Sequence, residues 1–278
     1  MSSGDGVVHV YLLGPIEVVH HDWQIPLGGG HKRALMAALA SEAGKVVPAG
    51  RLIDALWGER PPAQPRTKLQ GYVSGLRKEL SRPEPATLRW PLVTREPGYL
   101  LSTDRVAVDL LDYRALLQRA ARELDGGQVA AASDHLGQAL GLWRGPAYAD
   151  ARTPVLCAMA AALEAQRLLA IECKSECDLQ LGRSDAVAGE LGILLSTHPT
   201  RERMRAAVML ALYRSGCRAE ALESYRIGRV LLREQLGIEP GPVLQRLHEL
   251  MLRDDPQLVS QGVLNCLTRA IPPAADPA

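Results

Sequence analysis

Apolar residues near the start of the chain recur every second position. Val8, Val10 and Leu12 are interleaved with His9, Tyr11 and Leu13, Gly14-Pro15 interrupts, and Ile16-Glu17-Val18 resumes. Trp23, Ile25 and Leu27 keep the same spacing, which predicts a small antiparallel sheet closed by Gly28-Gly29-Gly30. From Lys32 to about Ala43 the spacing changes to three and four (Leu35, Met36, Leu39), as on a helix, and Gly44 ends it. A second short helix, Ala49 to Trp57, presents Leu52, Ile53 and Leu56 on one side. Gly58 stops it, and Pro61, Pro62 and Pro65 keep the following stretch non-helical.

Arg66 to Leu80 is the most informative segment. At about 100° per residue, Leu69, Tyr72, Val73, Leu76 and Leu80 form one stripe, expected to be buried. The opposite side carries Thr67, Gln70, Gly71, Ser74 and Lys78, with Lys68 and Arg77 at its margins. A core helix would be greasier there, and a merely solvated one richer in Glu. Small and hydrogen-bonding residues flanked by bases suit a surface that reads base edges while touching phosphates. After Pro83 and Pro85, Leu88 to Leu101 reads as a hairpin turning at Glu96-Pro97-Gly98, with Arg95 at its tip. An arginine there can enter a narrow minor groove.

Beyond Val106 the periodicity is helical almost throughout. Helices are expected over 109–124, 128–143, 154–181, 184–196, 201–215, 218–236 and 242–253, separated by Gly, Gly-Pro or His-Pro breaks. Gly182 and Gly216 lie 34 residues apart, each after a leucine-bearing helix and before a small-residue start. That period suits tetratricopeptide-like pairs; a generic helical bundle is the plainer alternative. The fold class expected is therefore mainly α with a small antiparallel β component. A winged helix-turn-helix (1–104) precedes a tetratricopeptide-like all-α domain (105–256), and the tail 257–278 is expected to be partly disordered.

Composition narrows the function. The net charge of +1 hides an asymmetry: residues 66–95 hold seven Lys/Arg against Glu79 and Glu84, while residues 101–278 hold 20 basic and 22 acidic groups. Positive charge is thus concentrated around the candidate recognition helix, as phosphate contacts require. Residues 1–6 are small and polar, unlike a leader. The longest uncharged run, 256–268, is too short to span a bilayer. Five cysteines without a pairing framework fit a reducing cytoplasm.

The run Leu52-Ile-Asp-Ala-Leu-Trp57-Gly58, the Pro-rich loop, Leu76-Arg-Lys-Glu-Leu80 and Thr94-Arg-Glu-Pro-Gly-Tyr-Leu are similar to OmpR-type winged helices. Met209-Leu-Ala-Leu-Tyr-Arg-Ser-Gly216, Ala219-Glu-Ala-Leu-Glu-Ser-Tyr225 and Glu234-Gln-Leu-Gly-Ile-Glu-Pro240 look like the bacterial transcriptional activation domain. Together they resemble the Streptomyces antibiotic regulatory protein (SARP) family over about residues 7 to 255. The resemblance implies an activator of secondary-metabolite genes that binds promoter direct repeats as a side-by-side homodimer and recruits RNA polymerase holoenzyme through its sigma factor. It implies DNA contacts by Arg66, Thr67, Lys68, Gln70, Ser74, Arg77 and Lys78, a wing contact by Arg95, and polymerase contact by Gly58, Glu59, Arg60, Pro61 and Pro62. Two departures stand out. Gly71 and Gly75 each weaken a helix by about 1 kcal/mol relative to alanine, so its full ordering is expected on DNA. Gly29-Gly30-His31 replaces the family's polar, basic helix start.

Other chemistry is not supported by the sequence. Residues 28–32 lack phosphate-loop spacing and read as a strand-to-helix turn. Cys173 and Cys177 lie one turn apart without the partners zinc needs, and read as small buried residues. His20-His21 reads as solvated, and Asp54 and Glu59 have no acid–base partner. No catalytic constellation, metal site, cofactor or receiver segment bringing a phosphorylation input is expected. Two other readings stay open: a tetratricopeptide-type scaffold with a protein-docking N-terminal module, and a repressor on the same fold.

Overall fold

The computed structural model describes residues 7–21, 23–80 and 91–259. The loop bearing Pro83 and Pro85, the Leu88–Trp90 start of the expected hairpin and the tail from residue 260 lie outside the described residues. By compactness the chain forms two units interleaved in sequence. One comprises residues up to Leu116 with Ala139–Arg167, the other Leu117–Gln138 with the residues from Leu168 onward. The expected division at 104/105 separates modules along the chain, not these compact units.

In the first unit the alternating N-terminal residues form β1 (Val8–Tyr11), β2 (Glu17–His20) and β3 (Trp23–Gln24), paired antiparallel. The sheet has a fourth strand, β7 (Val106–Val108), which runs parallel to β1 with Val8 opposite Val106. The periodicity there suggested only the approach to a helix. The strand exists because β1 supplies a hydrogen-bonding edge from a hundred residues upstream, information that a three-residue segment does not carry.

Helices α1 (Gly30–Ser41), α2 (Ala49–Trp57) and α3 (Pro65–Leu80) pack on one another beside a second sheet. That sheet has the order β4-β6-β5, with β4 at Val46–Pro48, β5 at Leu92–Arg95 and β6 at Gly98–Leu101. Leu35, Leu39, Leu52, Leu69, Leu76, Leu92 and Leu101 are all buried between them. Each such side chain stabilises the folded state by roughly 1.5–3 kcal/mol.

At the foot of the first sheet, the turn Leu12–Ile16 is clasped by two distant segments. Asp109, the first residue of α4 (Asp109–Asp125), accepts the N–H groups of Leu12 (2.8 and 2.9 Å) and Leu13 (3.0 Å), whose side chains are fully buried. From beyond α5 (Val129–Gly141), Arg144 N–H donates to Leu13 O (2.7 Å) and Tyr148 N–H to Leu12 O (3.0 Å). The Arg144 guanidinium binds Glu17 and the Pro15 carbonyl and lies 4.5 Å over the Tyr11 ring. Asp150 accepts Ile16 N–H (2.8 Å) and pairs with Arg33 of α1.

The second unit, to which α4, α5 and α6 contribute only in part, is built from helix pairs. α4 and α5, α6 (Pro154–Gln180) and α7 (Ser184–Thr197), and α8 (Glu202–Arg214) and α9 (Arg218–Leu236) are each joined at a left-handed glycine: Gly127, Gly182 and Gly216, at φ 72°, 79° and 81°. Each glycine N–H returns to the carbonyl three residues back, and the next N–H to the carbonyl five back. α10 (Pro242–Arg253) packs on α8 and α9. Leu179, Leu191, Met204, Leu210, Leu244 and Met251 are buried there.

α6 is long and apolar enough, by length and composition alone, to cross a membrane, with mean hydropathy 1.4 over its most apolar window. Its second half instead carries buried ion pairs: Glu172 with Arg201 (2.9 Å), Glu176 with Arg203 (2.7 Å), and Asp178 with Lys174 (2.6 Å) and Arg183 (2.9 Å). Cys173 and Cys177 are buried beside them, and burial pushes their thiols up to about 11 and about 12, so both stay protonated at neutral pH.

Two measurements test this packing. Asp109→Ala leaves two buried N–H groups without an acceptor, so a urea titration should show a loss of about 2–4 kcal/mol. A loss below about 0.5 kcal/mol would remove the clasp from the stability account. Burial works against the charge of Asp178, but hydrogen bonds from Lys174, Ser133 and Arg183 outweigh it and hold the carboxyl below the usual range. A lowered folded value means stability that is present above the ordinary carboxylate pKa, about 3.9, and lost as pH falls through the folded one. Asp178→Asn should therefore flatten the acid-side fall in melting temperature; parallel wild-type and variant curves would contradict it.

Candidate nucleic-acid interface

α2 ends where Gly58 turns to φ 56° and its N–H closes on Asp54 O (2.8 Å). Along the loop that follows, Glu59, Arg60 and Pro61 are exposed, while Gly58 and Pro62 are half-buried. Pro65 then opens α3, a position where the missing N–H costs nothing.

The stripe Leu69, Val73, Leu76 and Leu80 is buried, and it fixes how α3 is rotated about its axis. Tyr72, expected in that stripe, is half-buried at its edge. Its ring lies 5.6 Å from that of His31 and 6.0 Å from that of Trp57, so three aromatic rings join the three helices. With the stripe inward, Arg66, Thr67, Lys68, Gln70, Ser74 and Lys78 are all exposed. Arg66, Lys68, Lys78 and Arg95 have no ion-pair partner among the described residues. α3 is continuous across Gly71 and Gly75, contrary to the expectation that they would leave it to order on DNA. Packing of the stripe outweighs their low propensity.

Arg77 differs from the other bases. It is half-buried, with Nε donating to Leu92 O (3.0 Å) and Nη2 to Thr94 Oγ1 (2.9 Å), so it ties α3 to the hairpin. The hairpin pairs Thr94 with Tyr99 and Arg95 with Gly98, and Arg95 is exposed beside the turn. β6 also pairs with β4, a strand of three residues that α1 and α2 bracket and that the spacing did not disclose. A Cβ on Gly98 would lie 1.9 Å from Val47 O, so only glycine lets the wing seat on β4. Between the starts of α2 and α3 and the wing runs a groove of about 400 Å³. Arg66 and Gln70 line one side, Thr94, Glu96 and Tyr99 the other, and Ala49-Gly50 the floor.

The arrangement can present a helix edgewise to a duplex, with hydrogen-bonding groups outward, unpaired bases around them and a hairpin arginine to one side. Helix-turn-helix, wing and helical-pair domain together define a DNA-binding transcription regulator.

Comparison with known proteins makes this specific. Residues 28–101 match the family described as transcriptional regulatory protein, C terminal, and residues 108–252 match the bacterial transcriptional activator domain. The regulatory protein DnrI of Streptomyces peucetius is 35% identical over 260 residues, which cover 92% of this chain and 96% of DnrI. AfsR of Streptomyces coelicolor is 37% identical over 98% of this chain, which spans only 27% of AfsR. A solved structure of Mycobacterium tuberculosis EmbR in complex with a low-affinity phosphopeptide superposes with TM-score 0.85 at 33% identity, covering 95% of this chain and 69% of that one. The chain belongs to the SARP family of transcriptional regulators. The relatives it matches are named as regulators, a non-enzymatic function.

Lys78 and Arg77, neighbours in sequence, should part in their effects. Lys78→Ala should weaken binding to all duplexes and reduce the salt slope by about one, with an unchanged melting temperature. Arg77→Ala should also lower stability by about 1 kcal/mol and speed amide exchange in β5, because it removes two wing hydrogen bonds. Unaltered β5 exchange in that variant would show that Arg77 does not hold the wing.

Proposed function

We propose that this chain activates secondary-metabolite biosynthesis genes in the cytoplasm, binding promoter direct repeats as a side-by-side homodimer and recruiting RNA polymerase holoenzyme through its sigma factor. The observation that carries the reading is the outward, polar, base-flanked surface of α3, set beside an exposed wing arginine in a chain that also holds a transcriptional activator domain. Lys68, Lys78, Arg66 and Arg95 supply affinity through phosphates, while Thr67, Gln70 and Ser74 choose bases. Arg77 adds a phosphate contact only with whatever donors its wing bonds leave over. The chain spans 25–27% of the AfsR relatives, so what those longer proteins do beyond this region is not carried over.

The loop Gly58–Pro62 is the polymerase-facing element of the proposal, supported by the exposure of Glu59, Arg60 and Pro61. Gln70→Ala should relax preference at one base pair by ~1–3 kcal/mol, read from competition binding with single-site operator variants. The double variant Glu59→Ala, Arg60→Ala should leave promoter affinity intact yet lower run-off transcription by holoenzyme. Unchanged activation would take the loop out of the mechanism. Transcription lowered by the wild-type protein would make it a repressor, and a gel shift without sequence selectivity would favour a scaffold.

A further inference from the structure

Lys32, in the first turn of α1, lies outside the residues named above for DNA, yet its side chain lies along α3. A Cβ built on Gly75 would meet Lys32 Cε at 2.9 Å and Nζ at 3.0 Å, and one on Gly28 would lie 3.7 Å from its Cδ and Nζ. The stem therefore runs past α3 at Gly75, where the helix has no side chain. Lys32 is half-buried, and among the described residues its ammonium has no hydrogen bond or ion pair. A cation whose stem is already held and whose head is unpaired awaits an anion.

Its location says which anion. Gly75 follows Lys68 by seven residues and Gly71 by four, and precedes Lys78 by three, so the four share one side of the helix. That side is a strip of bare backbone bounded by lysines, about 150° around from the buried stripe, with Gly75 and Lys68 at its α1 edge. Arg66, Gln70 and Arg77 occupy the other flank, toward the wing. A helix in the major groove runs between two phosphate backbones, one along each flank. The wing flank has its cations in Arg66 and Arg95; Lys32 and Lys68 supply them on the α1 flank.

We propose that Lys32 contacts a DNA phosphate on the α1 side of the recognition helix, and that glycine at 75 is what aims it there. The proposal rests on the interface proposed above, and its test separates the two. The probe is a duplex selected from a random-sequence pool by the wild-type full-length protein. Lys32→Gln should weaken binding to it about five-fold at ~0.15 M salt and reduce the salt slope by about 0.9, the contribution of one phosphate. Lys32→Arg should restore both. Gly75→Ala should raise the melting temperature, because alanine outranks glycine in a helix, yet weaken binding by displacing the lysine. In a Lys32→Gln background the same alanine should have no further effect on binding.

An unchanged slope in Lys32→Gln overturns the proposal. So does an equal loss from Gly75→Ala in both backgrounds, which would mean that its methyl meets the DNA itself. Failure of the wild-type protein to select any duplex, or full binding by Lys78→Ala, would instead overturn the interface on which the proposal stands.

Discussion

Burial of Leu69, Val73, Leu76 and Leu80 against α1 and α2 sets the rotation of α3, and that rotation decides everything outward of it. With roughly 1.5–3 kcal/mol at stake for each side chain, turning the helix by even one position would cost more than any surface contact could return. Thr67, Gln70, Ser74 and Lys78 are outward because the leucines are inward. The polar face has few contacts of its own to keep it there, which leaves its side chains available to a partner. Arg77 completes the arrangement from the side by fixing the wing to the same helix.

Support for that helix bundle extends well beyond the wing. The turn Leu12–Ile16 is held by Asp109 and by the segment around Arg144 to Asp150, and Asp150 also reaches Arg33 of α1. The compact unit that carries the recognition helix therefore includes residues from what the chain order presents as the helical half. In the other unit the same two-bond closure at Gly127, Gly182 and Gly216 repeats a single turn geometry, and buried ion pairs tie α6 to the start of α8.

Much of this was legible in the residues. Glycine stops and the three–four spacing located α2, α9 and α10 to the residue, because cap and periodicity are local signals. The stripe of α3 was readable for the same reason, except at Tyr72, which aromatic neighbours from two other helices draw to the edge. Strands β4 and β7 were not legible: each is three residues long and defined by a partner fifty or more positions away. Nor did the sequence disclose that Arg77 is occupied by the wing or that Gly75 makes room for Lys32. Both facts depend on which elements pack side by side, and a count of bases treats all bases alike.

The most direct test of the central claim is where Ser74 lies relative to a bound duplex. A DNA-cleaving iron chelate attached at Ser74→Cys, with Cys157 and other accessible cysteines replaced, reports that position. If α3 is seated by its leucine stripe as described, cleavage should centre on the major groove of the bound site. Binding without cleavage from position 74 would mean that another surface meets the DNA.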